Sequence, residues 1–309
     1  MRPHPPRAHG REKSHDDPSP LNVSRPRVAW LLIAGLTALL IGIGVLIGGI
    51  FLYAFVALAV AINVGGYWFS DRLALKAGRA QPVESGTNPE LEAMAQDLAQ
   101  RAEAPVPRLY TIPSEQPNAF GTGRNPEHAA VAVTDGLLQQ LPADQVKSVL
   151  AHEFGHIRNR DILVSSIAAM VAGAIAAIAN LLQFSLLFGG DEEDAGPLGW
   201  IGLVGTIIFA PLAASLLQLA VSRQREYLAD ATGAEPLGRA RPLAAALETL
   251  ERRAQTVPLD VNPATASLYI VNPLRRQGVA TLFSTHPPVA ERVRRLRALD
   301  GDQTFRLVA

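Results

Sequence analysis

Hydrophobic residues fall along this chain in blocks of two kinds. Across residues 28–69 almost every position is apolar, and the same is true of 162–188 and 198–221. Elsewhere apolar residues recur at three- and four-residue spacing, the pattern of helices with one buried face. A run of about 40 residues would make a helix roughly 60 Å long, twice the thickness of a bilayer's hydrocarbon core. Residues 28–69 therefore read as two membrane spans joined near Gly48-Gly49, with Trp30 at one end of the run and Tyr67 and Trp68 at the other end, all at the interface. Residues 162–188 and 198–221 read as a third and fourth span around the acidic stretch Asp191-Glu192-Glu193-Asp194. Buried helices of a soluble core are the alternative for these two, and their length argues against it.

Charge orients the spans. Arg2, Arg7, Arg11, Lys13, Arg25 and Arg27 precede the first pair and Arg72, Lys76 and Arg79 follow it, while the turn between them carries no charge. The positive-inside rule puts both ends of the hairpin in the cytoplasm, with the acidic loop outside. Asn63, the one amide in this hairpin, reads as packing glue between helices. Residues 1–27, rich in Pro, Arg, His and Ser, bury too little apolar surface to fold and read as a disordered tail. The expected layout is a tail (1–27), a transmembrane hairpin (28–70), the first part of a cytoplasmic domain (71–161), two further spans (162–222) and the rest of that domain (223–309).

Within the cytoplasmic parts, residues 90–103 form an amphipathic helix through Leu91, Met94, Leu98 and Ala102, after a linker at 81–89. Residues 108–111 and 129–134 are short β-like runs. The stretch 117–123 between them is too glycine-rich for a buried strand and reads as an edge strand or loop. Further amphipathic helices are expected at 238–253 and 289–299, the latter started by Pro288.

Composition narrows the function. The 309 residues carry 28 basic and 28 acidic side chains, so nothing calls for nucleic acid as a partner. There is no cysteine, which excludes disulfides, thiolate metal sites and cysteine nucleophiles. Mean hydropathy is positive, in keeping with a bilayer as the surrounding medium.

The chemistry concentrates in residues 148–161, SVLAHEFGHIRNRD. His152 and His156, four apart on a helix, lie about 40° from each other around its axis and can reach one ion. Glu153 sits beside that face, where a carboxylate can take a proton from a metal-activated water and pass it to a leaving amine. A surface or core helix with incidental histidines is the bland alternative. A third ligand must come from far along the chain. Glu226 and Asp230, also four apart, project from one helix face, Glu226 to complete the site and Asp230 to hydrogen-bond a ligating histidine. A solvated face paired with Arg223 and Arg225 explains that pair equally well. His286, alone in a loop before Pro287, reads by itself as a surface residue.

Four motifs in order, with spans in the gaps, give the chain a resemblance: NAFGTG at 118–123, AHEFGH at 151–156, SRQREYLAD at 222–230 and FSTHPP at 283–288. It resembles the HtpX-type membrane-bound zinc metalloproteases, relatives of the eukaryotic CAAX prenyl proteases. The resemblance implies a mainly α integral membrane protein with four transmembrane helices and a cytoplasmic zincin-like α+β domain holding a small edge-strand sheet. It implies one zinc ion on His152, His156 and Glu226, Glu153 as general base and acid, and His286 and Arg292 stabilising the oxyanion or anchoring substrate. Asn118, Ala119, Phe120 and Gly121 would be the edge that pairs with an extended substrate. The implied setting is a bacterial inner membrane, with both termini and the active site cytoplasmic, misfolded or membrane proteins as substrates, a role in stress response and quality control, and self-cleavage as a hazard. The long basic tail departs from the family pattern.

Two other classes compete. A non-catalytic zinc-containing membrane scaffold would have no use for Glu153, because a structural site needs ligands and not a base. A transporter would need ionisable groups at midplane depth, and the spans hold almost none.

Overall fold

The computed structural model of the protein describes residues 25–47, 49–171, 173, 175, 223–259, 261, 265–273 and 287–301. The expected third span beyond 175, the acidic loop, the fourth span and His286 lie outside the described residues.

The first apolar block folds as two helices, α1 (Arg25–Ile47) and α2 (Ile50–Ala77), packed against each other. They meet at Gly49, whose φ of 58° is a conformation that side-chain-bearing residues rarely adopt. Asn63 Nδ2 donates to Thr37 Oγ1 at 2.6 Å across the pair, and Thr37 donates in turn to the Ile33 carbonyl. Among the described residues, Leu52–Ala77 is the one stretch long and apolar enough to cross a membrane. Only 11% of its most apolar window is buried, which separates it from the core helix of a soluble domain. Tyr53, Val60, Val64 and Trp68 all face outward.

A four-stranded sheet follows, from β1 (Gln81–Pro82), β2 (Arg108–Ile112), β3 (Ala119–Thr122) and β4 (Ala130–Thr134), in the order β1-β2-β4-β3. β4 runs parallel to β2 and antiparallel to β3, which leaves β3 at the edge. All five β4 residues are buried, because both faces are covered. Val131 and Val133 point into a core shared with α3 (Pro89–Arg101), α5 (Ala143–Arg158), α8 (Arg241–Thr256) and α9 (Val289–Gly301). Ala130 and Ala132 point the other way, with Phe120, toward Ala74 and Leu75 at the end of α2. The last turns of the membrane helix thus form part of the floor of the domain. A contact between Arg108 Nη2 and Asp71 Oδ2 at 2.6 Å fixes the joint.

α3 begins where the sequence signals it. Asn88 caps the Leu91 N–H, Pro89 takes the first position, and Glu90 and Glu92 meet the positive end of the helix dipole. Thr134 Oγ1 likewise caps the short α4 (Asp135–Gln140), which hands the chain to α5.

Candidate metal centre

α5 carries His152, Glu153 and His156, and all but the half-buried His156 are almost fully buried. The helix ends in a turn whose hydrogen bonds define its geometry. Arg160 N–H reaches the Ile157 carbonyl, Asp161 N–H reaches the His156 carbonyl, and Arg160 takes φ 57°. That left-handed residue folds the chain back under the helix and delivers the Asp161 carboxylate to 3.6 Å from His156 Nδ1. Asp161 also opens the next apolar helix, α6 (Ile162–Val171), accepting the Ser165 N–H at its carbonyl.

Glu226 and Asp230 lie on α7 (Arg223–Ala234), which crosses α5 at very close range. The contact is made by small residues four apart on both helices, Ala151 and Gly155 against Ala229 and Gly233. A Cβ on Gly155 would lie 2.6 Å from the Ala229 carbonyl oxygen, and one on Gly233 2.5 Å from that of Ala151. Any larger side chain would push the helices apart. Without this approach Glu226, a short carboxylate, would not reach the histidines.

It does reach them. His152 Nε2 and His156 Nε2 are 3.2 Å apart, Glu226 Oε1 is 3.6 Å from the second and Oε2 is 3.8 Å from the first. Donors bound tetrahedrally at 2.0–2.1 Å sit about 3.3 Å from one another, so the set already has nearly the spacing a zinc ion requires. Two imidazoles and one carboxylate, with the fourth direction open to the neighbouring Glu153, match the donor set of catalytic rather than structural zinc sites.

The electrostatics follow from burial. Burial pushes the Glu153 carboxyl up to about 7, with Glu226 acting in the same direction; a cation bound beside it would pull the value back down. Burial lowers His152 to about 4, so it is held as the neutral ligand form. Burial alone would lower His156 too, but the Asp161 carboxylate 3.6 Å away and the charges of Glu226 and Glu153 override it and hold the ring up at about 9.

Asp230 meets His152 Nδ1 at 3.0 Å, on the side of the ring away from Nε2. Arg292, from α9, is completely buried. Its Nε and Nη2 donate to the two Asp230 oxygens at 2.9 and 2.7 Å, and its Nη1 lies 3.7 Å from Glu226 Oε2. Although burial works against the charge on Asp230, this fork holds the carboxyl down at about 2. Arg292 Nη2 also stands 3.4 Å from both ring nitrogens of His152, so Arg292 lies beside the ligand set. Asp161, which orients His156, and Arg292's hold on Asp230 are the features that spacing alone did not reveal.

Asn118, Ala119, Phe120 and Gly121 form or adjoin the edge strand β3, which passes directly over Glu153. A Cβ on Gly121 would lie 2.9 Å from Glu153 Oε2, so only a glycine lets the strand pass this close to that carboxylate. Beside β3 runs the segment 266–271, which opens with the short 3-10 turn Ala266–Leu268. Ile270 N–H donates to the Ala119 carbonyl at 3.0 Å, Asn118 Nδ2 to the Val271 carbonyl at 2.8 Å, and Arg292 Nη1 to the Ile270 carbonyl at 3.0 Å. Tyr269, Ile270 and Val271 are buried, each side chain contributing about 1.5–3 kcal/mol. The hydroxyl contacts at the other end of β3, from Ser166 of α6 to Thr122 Oγ1 and the Gly123 N–H, contribute about 0.5–1.5 kcal/mol each. What remains over the metal ligands is a pocket of about 20 Å³ lined by Gly121, Glu153, Ser165, Ser267, Leu268 and Ile270, room for about one water.

A helix bearing two histidines and a buried carboxylic acid, completed by a glutamate from a second helix, is the site of a metallopeptidase. Comparison with known proteins agrees. The description Peptidase family M48 matches residues 85–300. The protease HtpX homolog of Syntrophobacter fumaroxidans is 51% identical over 276 residues, covering 87% of this chain and 97% of that protein. The protease HtpX homolog of Pyrococcus furiosus is 48% identical over 272 residues, covering 87% and 94%. Among solved structures, the crystal structure of S. mikatae Ste24p aligns with 21% identity and a TM-score of 0.47, over 88% of this chain and 64% of that one. The chain belongs to peptidase family M48. It is a membrane-associated metalloprotease whose metal is zinc.

Proposed function

We propose that the chain is an integral-membrane zinc endopeptidase that cuts misfolded or membrane proteins at the cytoplasmic face of a bacterial inner membrane. In this reading it is a multi-pass protein with both termini and the active site in the cytoplasm, serving protein quality control under stress. The observation that carries it is the position of Glu153: a buried carboxylic acid beside three converging ligand atoms, under the edge strand.

His152, His156 and Glu226 hold the zinc. When bound there, the ion supplies a Lewis acid that brings the pKa of a water to about 7 and polarises a peptide carbonyl. Glu153 takes the proton from the attacking water at its carboxylate and delivers it to the leaving amine, a role suited to a group whose burial keeps its affinity for protons high. Asp230, gripped by Arg292, fixes the His152 ring through Nδ1, and Asp161 does the same for His156. Asn118, Ala119, Phe120 and Gly121 are the edge proposed to meet an extended substrate through its backbone rather than its sequence, although in this structure the Asn118 amide and the Ala119 carbonyl are taken by Val271 and Ile270. His286, outside the described residues, remains assigned by resemblance to oxyanion or substrate contact.

The test is metal removal and return. Detergent-purified protein stripped with 1,10-phenanthroline is expected to lose cleavage of unfolded casein and to regain it with one equivalent of zinc. Cleavage that survives complete stripping would reject the zinc mechanism. The scaffold alternative predicts stoichiometric zinc and no cleavage under any condition.

A further inference from the structure

The edge of β3 is closed in this structure, and the closure is made by a residue of an apolar helix. Extended substrates pair with the outward-facing groups of an edge strand, on alternate residues. On β3 these belong to Ala119, Gly121 and the following Gly123. The Ala119 carbonyl is taken by Ile270 N–H and the Gly123 N–H by Ser166 Oγ at 3.3 Å, while Gly121 between them lies against the Glu153 carboxylate. The Ser166 hydroxyl also meets Thr122 Oγ1 at 2.8 Å.

The two ends of this closure differ in kind. At the Ala119 end the partner segment is anchored by Tyr269, Ile270 and Val271, all buried, with Tyr269 packed edge-on against Phe120 at 5.0 Å between ring centres. Moving it would expose an aromatic ring and two branched side chains to water. At the Gly123 end the strand itself is met only by the Ser166 hydroxyl and the Ile162 side chain, on a helix whose Ile162, Ile167 and Ala168 are buried. The far side of the helix has room: Ser166, Ala169, Met170 and Gly173 line a cavity of about 430 Å³ shared with Gly65, Ser70 and Ala74 of α2. The buried Ser70 Oγ in that cavity has no hydrogen-bond partner, so the packing of α6 on α2 is incomplete there.

We propose that Ser166 is a latch: its hydroxyl holds the Thr122–Gly123 end of the edge strand shut, and a shift of α6 toward α2 frees that end for a substrate backbone while Tyr269–Val271 remains as the fixed stop at the other end. This rests on β3 being the substrate-binding edge of the protease proposed above. Access to the metal site is then coupled to the packing of an apolar helix, and so to the state of the surrounding bilayer.

The native chain has no cysteine, so a single engineered pair can lock the latch. With the two hydroxyl oxygens 2.8 Å apart, Thr122→Cys with Ser166→Cys places the sulfurs within reach of a 2.03–2.05 Å bond. The oxidised double variant is expected to keep its zinc and to lose at least about tenfold in casein cleavage, with recovery on reduction by a phosphine that does not strip zinc. Ser166→Ala, which needs no disulfide, is expected to raise kcat/KM about two- to tenfold, the effect of removing a neutral hydrogen bond from the closed state alone. An oxidised enzyme that cuts as fast as its reduced form, or a Ser166→Ala enzyme no faster than wild type, would overturn the latch. A reduced double variant and a wild type that both fail to cut would instead overturn the protease reading, and the latch with it.

Discussion

Arg292 grips Asp230 with two charge-assisted hydrogen bonds, 2.7 and 2.9 Å long, in a pocket from which water is excluded. The same carboxylate orients His152 at 3.0 Å, so an arginine 140 positions along the chain from that histidine sets how it faces the metal. Removing the guanidinium leaves a buried carboxylate without its counter-charge, at a typical cost of about 3–5 kcal/mol. Arg292→Met is therefore expected to lower Tm markedly and to weaken zinc binding even where the protein still folds. Because Asp230 is held at about 2 against 3.8, the pair stabilises the fold above pH about 4, and that contribution is lost as pH falls through 2. Acid unfolding of Arg292→Met, followed by circular dichroism, should begin at higher pH than in wild type.

The close crossing of α5 and α7 makes a second prediction. Gly155→Ala puts a methyl 2.6 Å from a backbone oxygen that cannot move aside alone, so α7 must retreat and take Glu226 with it. Zinc affinity is expected to fall at least about tenfold and stability by about 1–3 kcal/mol. Competition against a zinc-binding dye reads the first and thermal unfolding the second. Unchanged affinity would show that Glu226 does not depend on this contact.

His156 must give up a proton to bind metal. Since Asp161, Glu226 and Glu153 hold it protonated up to about 9, apparent zinc affinity should rise with pH by about tenfold per unit from 6.5 upward and level off near 9. Calorimetry in buffers of different ionisation enthalpy should register close to one proton released per zinc at pH 7.5. A flat profile across this range would mean that Asp161, Glu226 and Glu153 do not hold His156 protonated above its ordinary value.

Asp161→Asn keeps the shape and removes the charge that orients His156. Loss of such a partner costs about 10–100-fold in metal affinity. The plateau of the pH profile should move to lower pH as well, because a chief cause of the raised His156 value is gone. A merely structural role for Asp161 would lower stability without shifting that plateau.

How much of this could be read from the chain depended on the range of each interaction. His152, Glu153 and His156 are set by helical spacing, and so is the pairing of Glu226 with Asp230; their faces were legible because a helix repeats every 3.6 residues. The crossing of α5 over α7 left a signal that went unread, small residues four apart at Ala151 and Gly155 and again at Ala229 and Gly233. Asp161 gave none, since its placement turns on Arg160 adopting a left-handed conformation usually given to glycine. Arg292 owes its oxyanion or substrate role to the resemblance alone, and its burial against Asp230 is a contact that the sequence did not signal. Residues 256–272 read as proline-punctuated loop, and the burial of Tyr269, Ile270 and Val271 within them comes from pairing with β3, a contact distant in sequence. The chain turns at Gly49, within the Gly-Gly pair that suggests the turn, and Pro288 precedes the start of α9, while α3 begins at Pro89, one residue before the expected Glu90.

The most direct measurement compares wild type with Glu153→Gln, two proteins of nearly equal shape and equal ligand sets. Zinc content of each is read by atomic absorption and cleavage of unfolded casein by gel. Near-stoichiometric zinc in both, with cleavage lost by several orders of magnitude in Glu153→Gln alone, is the predicted result. Zinc in both with cleavage undiminished in the variant would contradict the assignment of Glu153 as the proton carrier, and with it the account of the site.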